Sequence, residues 1–343
     1  MLKQVLPVLC LVLPAASAVA QSEAPPPAPA AVEAGANAEA EPVPEKILVV
    51  GQKPGPGLWK VSKDGHVLWV FGTYSPLPEK MEWRSQQVES ILAQSQAYLK
   101  PPGAHASVGF FRGLTLLPNL IGLKKNPDGA TLKDVLPAEV YARWQPLKAK
   151  YLGENDSIER ERPIFAAETL FRAGLQKAGL SKGYEVQRKI DGIIKQHNIK
   201  VVKTGIELPT DAASSMLKDF KKSSLADTAC FAKTLERLES DIDAMRVRAN
   251  AWAKGDLEAI QKLRYPDQEA ECGDAMMNAE FARNRPGFEN VKERMQAAWI
   301  GAAEKALAAN TSTFATLRLA DILKPDGYLA ALQAKGYTVE SPD

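Results

Sequence analysis

An Asp-Gly pair between two strand-like runs is the feature that most constrains this fold. The runs are Leu58–Val61 (LWKV) and Val67–Phe71 (VLWVF), and both are rich in the aromatic and β-branched residues that favour strands. Asp64 and Gly65 lie between them, and both residue types tolerate the positive φ angles of a tight turn. The sequence therefore predicts a β-hairpin at the start of the folded region.

The elements after the hairpin recur in the same order near the C-terminus. Gly72–Ser75 follows the second strand, and a proline-containing loop, a helix with Val88 and Leu92 on one face and a strand at Ala97–Leu99 come next. The C-terminal series has a strand, a short motif, a loop, a helix and a last strand: Thr313–Leu317, Arg318–Asp321, a loop with Pro325, Asp326–Lys335 and Tyr337–Val339. This parallel order indicates two related βα halves.

Helical periodicity dominates the middle of the chain. Its longest apolar run alternates steps of four and three residues: Phe231, Leu235, Leu238, Ile242, Met245, Ala249 and Trp252. Such spacing is typical of a coiled-coil seam, and it is also typical of one amphipathic helix packed on its own domain. We favour the second interpretation, because a single isolated segment of this length suffices for packing within the domain.

The N-terminus has the three parts of a secretory signal peptide. Lys3 is followed by an apolar stretch, Val5–Val12, and then by the small-residue cleavage pattern Ala18–Ala20. The apolar stretch is shorter than the ~20 residues of a membrane-spanning helix. We therefore expect residues 1–20 to be removed on export, and we expect no transmembrane segment in the mature chain.

Residues 21–45 are rich in proline, alanine and glutamate. A segment of this composition buries too little apolar surface to offset its ordering entropy, so we expect a flexible linker. The folded domain is then predicted to span residues 46–343. Together with the signal peptide, this organisation predicts a protein of the bacterial periplasm.

The charge balance of the whole chain gives no indication of a nucleic-acid or anionic-membrane partner. Lys and Arg total 43 and Asp and Glu total 41, which leaves a formal net charge of +2. Motifs of other chemistries are also lacking in the sequence, including Gly-x-Ser-x-Gly, zinc-type Cys/His spacing and a phosphate loop. We therefore predict no cofactor from these motifs.

Two cysteines remain after the predicted cleavage site, Cys230 and Cys272. In an oxidising compartment they could form one disulfide. Two separate buried thiols are an equal alternative, because cysteine often packs as a small apolar residue. The sequence leaves the choice open, since it gives no distance between them.

Over Leu58 to Val339 the chain resembles the TraB/GumN family, which is related to Tiki-type metallopeptidases. The resemblance rests on short segments in matching order: Leu58–Val61, Leu68–Thr73, Leu77–Pro78, Trp252, Gly255–Leu257, Glu293–Arg294, Asp326–Leu329 and Lys335–Val339. It implies an α+β fold, with a mixed sheet from two related βα halves and a long helical insertion. It also implies a pocket where the halves meet, each half presenting a Gly-x-x-His motif. In the enzymatic relatives these histidines and a glutamate hold a divalent metal that activates water.

This chain departs from the family pattern at all three metal-ligand positions, those of the two histidines and of the glutamate. Ser75 stands where the first histidine belongs, and Arg318–Asp321 has neither the glycine nor the histidine of the second motif. Lys100 aligns with the glutamate, a change of two charge units that disfavours a bound cation. The chain's histidines lie elsewhere: His66, His105 and His197. We therefore expect no metal, and either a Lys100–Asp321 ion pair or a solvent-facing Lys100.

The resemblance places the candidate pocket at seven residues: Gly72, Thr73, Ser75, Lys100, Glu207, Arg294 and Asp321. Our main expectation is a non-catalytic protein that binds an unknown ligand or partner in the cell envelope. The alternative is a hydrolase with an active site rebuilt from Ser75, Glu207, Arg294 and Asp321. A structural role in envelope assembly is a third hypothesis, suggested by the family name alone.

Overall fold

The computed structural model describes residues 55–107, 109–211, 213–223, 227–262, 272–273, 275 and 285–342. The predicted signal peptide, the predicted linker and residues 46–54 of the predicted domain lie outside the described residues. All structural statements below concern the described part of the chain.

Ten strands are present in this part of the chain. In chain order they are β1 (Leu58–Lys63), β2 (His66–Thr73), β3 (Leu77–Pro78), β4 (Ala97–Leu99), β5 (Ala104–His105), β6 (Leu180–Ser181), β7 (Lys200–Val202), β8 (Ile206–Glu207), β9 (Ser312–Arg318) and β10 (Thr338–Glu340). Six of them form a mixed sheet in the order β10-β1-β2-β9-β4-β7, and β3–β6 and β5–β8 form two small pairs.

Thirteen helices are described along with the strands. They are α1 (Gln86–Ala93), α2 (Phe110–Leu120), α3 (Leu132–Val135), α4 (Ala138–Tyr151), α5 (Pro163–Lys177), α6 (Tyr184–Gln196), α7 (Ala213–Lys222), α8 (Thr228–Ser240), α9 (Ile242–Lys254), α10 (Leu257–Lys262), α11 (Val291–Ala309), α12 (Leu319–Ile322) and α13 (Tyr328–Ala334). Most of them lie between β4 and β9, so the predicted α+β fold with a helical insertion is confirmed. Within the described residues, none is long and apolar enough to cross a membrane.

The predicted hairpin is confirmed. β1 and β2 pair antiparallel with Lys63 opposite His66, and Asp64 and Gly65 between them have φ angles of 52° and 83°. Both residues are left-handed, as the two-residue turn that continues the strand twist requires. Val61 and Leu68 then face each other across the pair, fully buried in the core.

The two related halves meet at the centre of the sheet. β2 and β9 are adjacent and parallel, with Thr73 opposite Arg318 at their carboxyl ends. The chain leaves β2 through α1 and returns in β4, on the far side of β9. It leaves β9 through α13 and returns in β10, on the far side of β2. The two crossovers therefore run in opposite directions.

Two apolar clusters form the core. The larger one surrounds the sheet, where Phe71, Trp252, Trp299 and Phe314 are buried together with the strand residues. The second lies among α3, α4, α5 and α8, with Trp144 packed against Phe231 at a ring distance of 5.4 Å. The helical insertion thus has a core of its own.

The long apolar run of the insertion is not one helix. α8 ends at Ser240 and α9 begins at Ile242, with Asp241 between them. The expected single amphipathic helix is wrong at this position, although both helices do pack within the domain. The physical reason is that the Asp241 side chain is buried and paired with Arg237 and Arg248. The apolar spacing of the sequence does not reveal these contacts.

A disulfide joins α8 to a segment after α10. The two sulfur atoms of Cys230 and Cys272 are bonded, and their Cα atoms lie 4.6 Å apart. Cys230 is fully buried. Of the two arrangements that the sequence left open, the structure therefore has the bridge.

Candidate functional site

A cavity of about 700 Å³ lies at the carboxyl ends of β2 and β9. Its lining combines both family motif segments with residues from the helical insertion: Thr73, Tyr74, Ser75, Lys182, Gly183, Tyr184, Val186, Gln187, Ile260, Gln261, Arg318, Leu319, Ala320, Leu323, Lys324 and Pro325. We call this cavity the switch-point cavity.

Topology explains why a cavity forms here. Crossover connections between parallel strands are right-handed, so two connections that run in opposite directions lie on opposite faces of the sheet. α1 accordingly packs on α6, and α13 packs on α11, which covers β2, β4 and β9. The loops after β2 and β9 diverge toward these two faces and leave a crevice between them. Open sheets bind ligands at such switch points.

The first motif segment is held by its backbone. Thr73 Oγ1 donates a hydrogen bond to the Leu317 carbonyl at 3.1 Å, which ties the end of β2 to β9. Trp252 Nε1 donates to the Gly72 carbonyl at 2.7 Å. A Cβ atom at Gly72 would lie 2.7 Å from the ring of Trp59, closer than real Cβ contacts. Gly72 and Thr73 therefore shape the floor of the site.

A buried polar chain supports the wall of the cavity at Tyr74. Arg248 Nε donates to Tyr74 Oη at 3.1 Å, and Arg248 Nη2 lies 2.6 Å from Asp241 Oδ1 and 2.5 Å from Oδ2. Burial raises the pKa of the Tyr74 hydroxyl, and the nearby Arg248 charge partly opposes that rise. Desolvation alone would lower the pKa of Arg248, but the Asp241 carboxylate raises it above its ordinary value. The hydroxyl therefore stays protonated and accepts a bond from a permanent cation.

Asp321, the acidic residue of the second motif segment, is engaged by its own neighbours. Arg318 Nε and Nη2 lie 2.7 Å and 2.9 Å from its carboxylate oxygens, and Lys324 Nζ lies 3.4 Å away. The Asp321 side chain is 11% exposed. Burial, and then the Asp321 charge, raise the pKa of Tyr328 to about 12. The carboxylate thus serves as the counter-ion of two cavity cations.

Lys100 does not form the ion pair with Asp321 that we considered. Its side chain is exposed. Its backbone carbonyl accepts hydrogen bonds from Thr204 Oγ1 at 2.7 Å and from Trp299 Nε1 at 3.2 Å, so the residue fixes the end of β4 through its main chain. Asp321 has Arg318 and Lys324 as partners instead.

Glu207 and Arg294 do not line the switch-point cavity. Glu207 is exposed in β8, opposite His105 of β5. Arg294 Nη1 donates to the Gly287 carbonyl at 2.6 Å, which fastens the loop before α11. Of the seven predicted pocket residues, the structure brings Thr73 and Ser75 into the lining, and it places Gly72 and Asp321 directly behind it.

The cavity residues do not suit a divalent metal. Among its described lining residues there is no histidine or carboxylate, and three are cations: Lys182, Arg318 and Lys324. No group of three His, Cys, Asp or Glu side chains in the described part of the chain is arranged to hold a metal. Hard and borderline divalent cations need such donors. The hydroxyls of Thr73, Tyr74, Ser75 and Tyr184 are neutral, and neighbouring cations would repel a metal.

Each lining cation has an acidic partner. Lys182 Nζ lies 2.6 Å from Glu168, and Arg318 and Lys324 share the carboxylate of Asp321. The described lining itself has positive groups and no carboxylate. The rest of the wall is largely apolar, including Val186, Ile260, Leu319 and Leu323.

Sequence reasoning missed the part of the site that the insertion supplies. Lys182 comes from the segment just before α6, Tyr184 and Gln187 come from the first turn of α6, and Ile260 comes from α10. No local pattern distinguishes these residues from ordinary helix residues. In the structure Tyr184 does stand out, because it is a large aromatic residue that is 62% exposed.

A second large cavity, of about 1110 Å³, contains neither motif segment. Its lining includes Trp83, Arg84, Ala253 and Lys254. We regard the switch-point cavity as the candidate site, because it is where both motif segments meet.

A family model for the TraB/PrgY/gumN family matches residues 57–341, which is most of the chain. The protein therefore belongs to the TraB/PrgY/gumN family, as its motif segments suggested. Neither a curated protein nor a solved structure matches it significantly.

Proposed function

We propose that this protein is a non-catalytic binding protein of the cell envelope, whose switch-point cavity takes a small ligand with an apolar body and one anionic group. One observation carries the proposal: both family motif segments line the cavity, yet its described lining has three cations and no histidine or carboxylate. Export rests on the predicted signal peptide, residues 1–20.

The ligand class follows from the chemistry of the wall. A volume of about 700 Å³ suits a small organic molecule. Leu319, Leu323 and Ile260 would cover an alkyl or aromatic body. A carboxylate or sulfonate at the end of that body would meet Arg318 and Lys324, two of the three lining cations. Charge-assisted hydrogen bonds of this kind fix the orientation of a ligand.

The alternative, a hydrolase with a rebuilt site, has less support. It would require Ser75, Glu207, Arg294 and Asp321 around one cleft. Glu207 and Arg294 are not among the described lining residues, and Asp321 is occupied by Arg318. Activation of a serine also needs a neighbouring base. The described lining has no histidine or carboxylate that could act as that base.

Calorimetric titration of the purified mature chain with decanoate, and separately with decanol, tests the proposal. We expect decanoate to bind with one site per chain and decanol to bind more weakly, because decanol lacks the anionic group. Ala320→Trp should abolish the binding, since an indole would fill the cavity wall. Lys324→Gln should weaken decanoate binding about fivefold and leave decanol binding unchanged.

Ala253→Trp is the matched control, because it places the same side chain in the second cavity. It should leave decanoate binding intact. If wild type and Ala320→Trp bound decanoate with equal affinity, the switch-point cavity would not be the binding site. Equal affinity for decanoate and decanol would refute the requirement for an anionic group on the ligand. It would not contradict the cavity as the binding site.

The proposed periplasmic location can be tested separately from ligand binding. The mature protein isolated from the periplasmic fraction of its host should begin at Gln21. An uncleaved N-terminus in the cytoplasmic fraction would refute export without bearing on ligand binding.

A further inference from the structure

We propose that the exposed face of α2 and the lysines beside it dock the protein on an anionic phospholipid surface. Four apolar side chains define this α2 surface: Leu114, Leu117, Leu120 and Ile121 are 49%, 54%, 47% and 77% exposed. They are neighbours on one helix and its C-terminal end. Contiguous apolar exposure marks an interaction site more often than single exposed residues do.

The opposite side of α2 is already partnered. Leu116, Asn119 and Leu123 are half-buried, and Asn119 Nδ2 donates to Ser214 Oγ of α7 at 3.1 Å. Leu114, Leu117 and Ile121 follow each other by three and four residues, so they share another face. The helix therefore has one face on the domain and one apolar face left exposed.

Positive charge surrounds the α2 surface. No acidic residue occurs from Ser90 to Pro127, whereas Lys124 and Lys125 follow the helix closely and are exposed. Lys218 and Lys222 of the adjacent α7 are exposed as well. The single acidic residue of α7, Asp219, is paired with Arg285. Within Ser90–Pro127 and α7, lysines therefore outnumber acidic residues, although the chain as a whole is nearly neutral.

A buried arginine holds the two groups of lysines together. Arg162 is 1% exposed, and its guanidinium donates to the carbonyls of Lys125 at 3.1 Å, Lys221 at 2.9 Å and Ser223 at 2.9 Å. The chain after α2 and the C-terminal end of α7 are therefore fixed beside one another. The lysines of these two segments therefore lie close together beside α2.

An anionic bilayer is the occupant that matches this combination. Interfacial helices insert leucine and isoleucine at the boundary of headgroups and acyl chains while lysines meet anionic headgroups. α2 has 11 residues and is far too short to span the hydrocarbon core, so it would lie on the surface.

Sedimentation with vesicles tests the inference on the full mature chain. Vesicles of equal parts phosphatidylglycerol and phosphatidylcholine should bind the protein, and pure phosphatidylcholine vesicles should bind it weakly. Leu117→Gln with Ile121→Gln should reduce the partition coefficient at least about tenfold. Lys124→Gln with Lys125→Gln should reduce it about fivefold per lysine at low salt, and the loss should shrink as salt is raised.

Val247→Gln is the control, because Val247 is 52% exposed on a different helix. It should bind like the wild type. Thermal unfolding of every variant checks that the fold is kept. The Lys124 and Lys125 variant changes no residue of the apolar face, so it tests the charges separately. Equal binding to both vesicle types, or unchanged binding of the Leu117 and Ile121 variant, would overturn the inference. So would a wild-type dimer that this variant dissociates, since the face would then join two copies.

Discussion

Arg248→Met should destabilise the protein strongly, because it leaves the carboxylate of Asp241 buried without its main partner. The Arg248 side chain is fully buried, and that of Asp241 is 9% exposed. The methionine keeps the volume and the apolar stem of the arginine but removes all of its donors. Tyr74 Oη loses its donor at 3.1 Å in the same step.

The magnitude follows from what remains around Asp241. Removal of one partner from a buried ion pair costs roughly 3–5 kcal/mol of unfolding free energy. Arg237 Nε lies 3.8 Å from Asp241 Oδ2 and would still balance part of the charge. The expected loss therefore lies near the lower end, at about 3 kcal/mol.

Urea denaturation followed by circular dichroism measures this loss by linear extrapolation. Arg248→Met with Asp241→Asn is the matched variant, and it should recover part of the lost stability because the uncompensated carboxylate is removed while Arg237 keeps a polar neighbour. The lost support at Tyr74 should also weaken decanoate binding in the single variant. A single variant within about 0.5 kcal/mol of the wild type would refute the reasoning, because that is the range of ordinary surface changes.

Three further predictions concern stability. Replacing both Cys230 and Cys272 by alanine removes a disulfide between residues 42 apart in sequence. The free energy of unfolding, measured by urea denaturation, should fall by about 4 kcal/mol, and a fall of less than about 1 kcal/mol would contradict this. The folded state holds the Tyr328 proton up to about pH 12 against an ordinary 10, so unfolding free energy should fall as pH rises through this window. Tyr328→Phe should flatten that fall, and an unchanged slope would contradict the assignment. Arg162→Lys should lower the free energy of unfolding by about 2 kcal/mol, because one ammonium group cannot donate hydrogen bonds to the carbonyls of Lys125, Phe220, Lys221 and Ser223 together. A variant as stable as the wild type would contradict this prediction.

The elements that sequence reasoning predicted well are those with local causes. The hairpin follows from Asp64 and Gly65, whose left-handed conformations are set by the turn itself. The C-terminal βα plan follows from proline and glycine punctuation around Pro325 and Gly336. Both could be read without knowing any distant contact.

The elements that it missed depend on contacts between distant parts of the chain. The break between α8 and α9 was invisible because Leu238, Ile242 and Met245 keep helical spacing through it. What ends the helix is the burial of Asp241 against Arg248. The α6 part of the cavity wall was missed for the same reason, since Lys182 and Gln187 meet the motif segments only in the folded chain.

The candidate site shows the same division. The motif order placed Thr73 and Ser75 at the end of β2, where the cavity lies. The resemblance left a Lys100–Asp321 ion pair and a solvent-facing Lys100 as two alternatives, and the partners of Asp321 are Arg318 and Lys324 from its own part of the chain. Side-chain pairing among parallel strand ends needs the three-dimensional arrangement.

The central claim is that the meeting point of the two halves has become a site for an organic anion rather than a metal ion. Metal analysis of the purified mature chain after equilibration with manganese, cobalt or zinc and gel filtration tests it most directly. The account predicts far less than one equivalent of each metal, and no change in the Asp321→Asn variant. One bound equivalent that disappears in Asp321→Asn would contradict it.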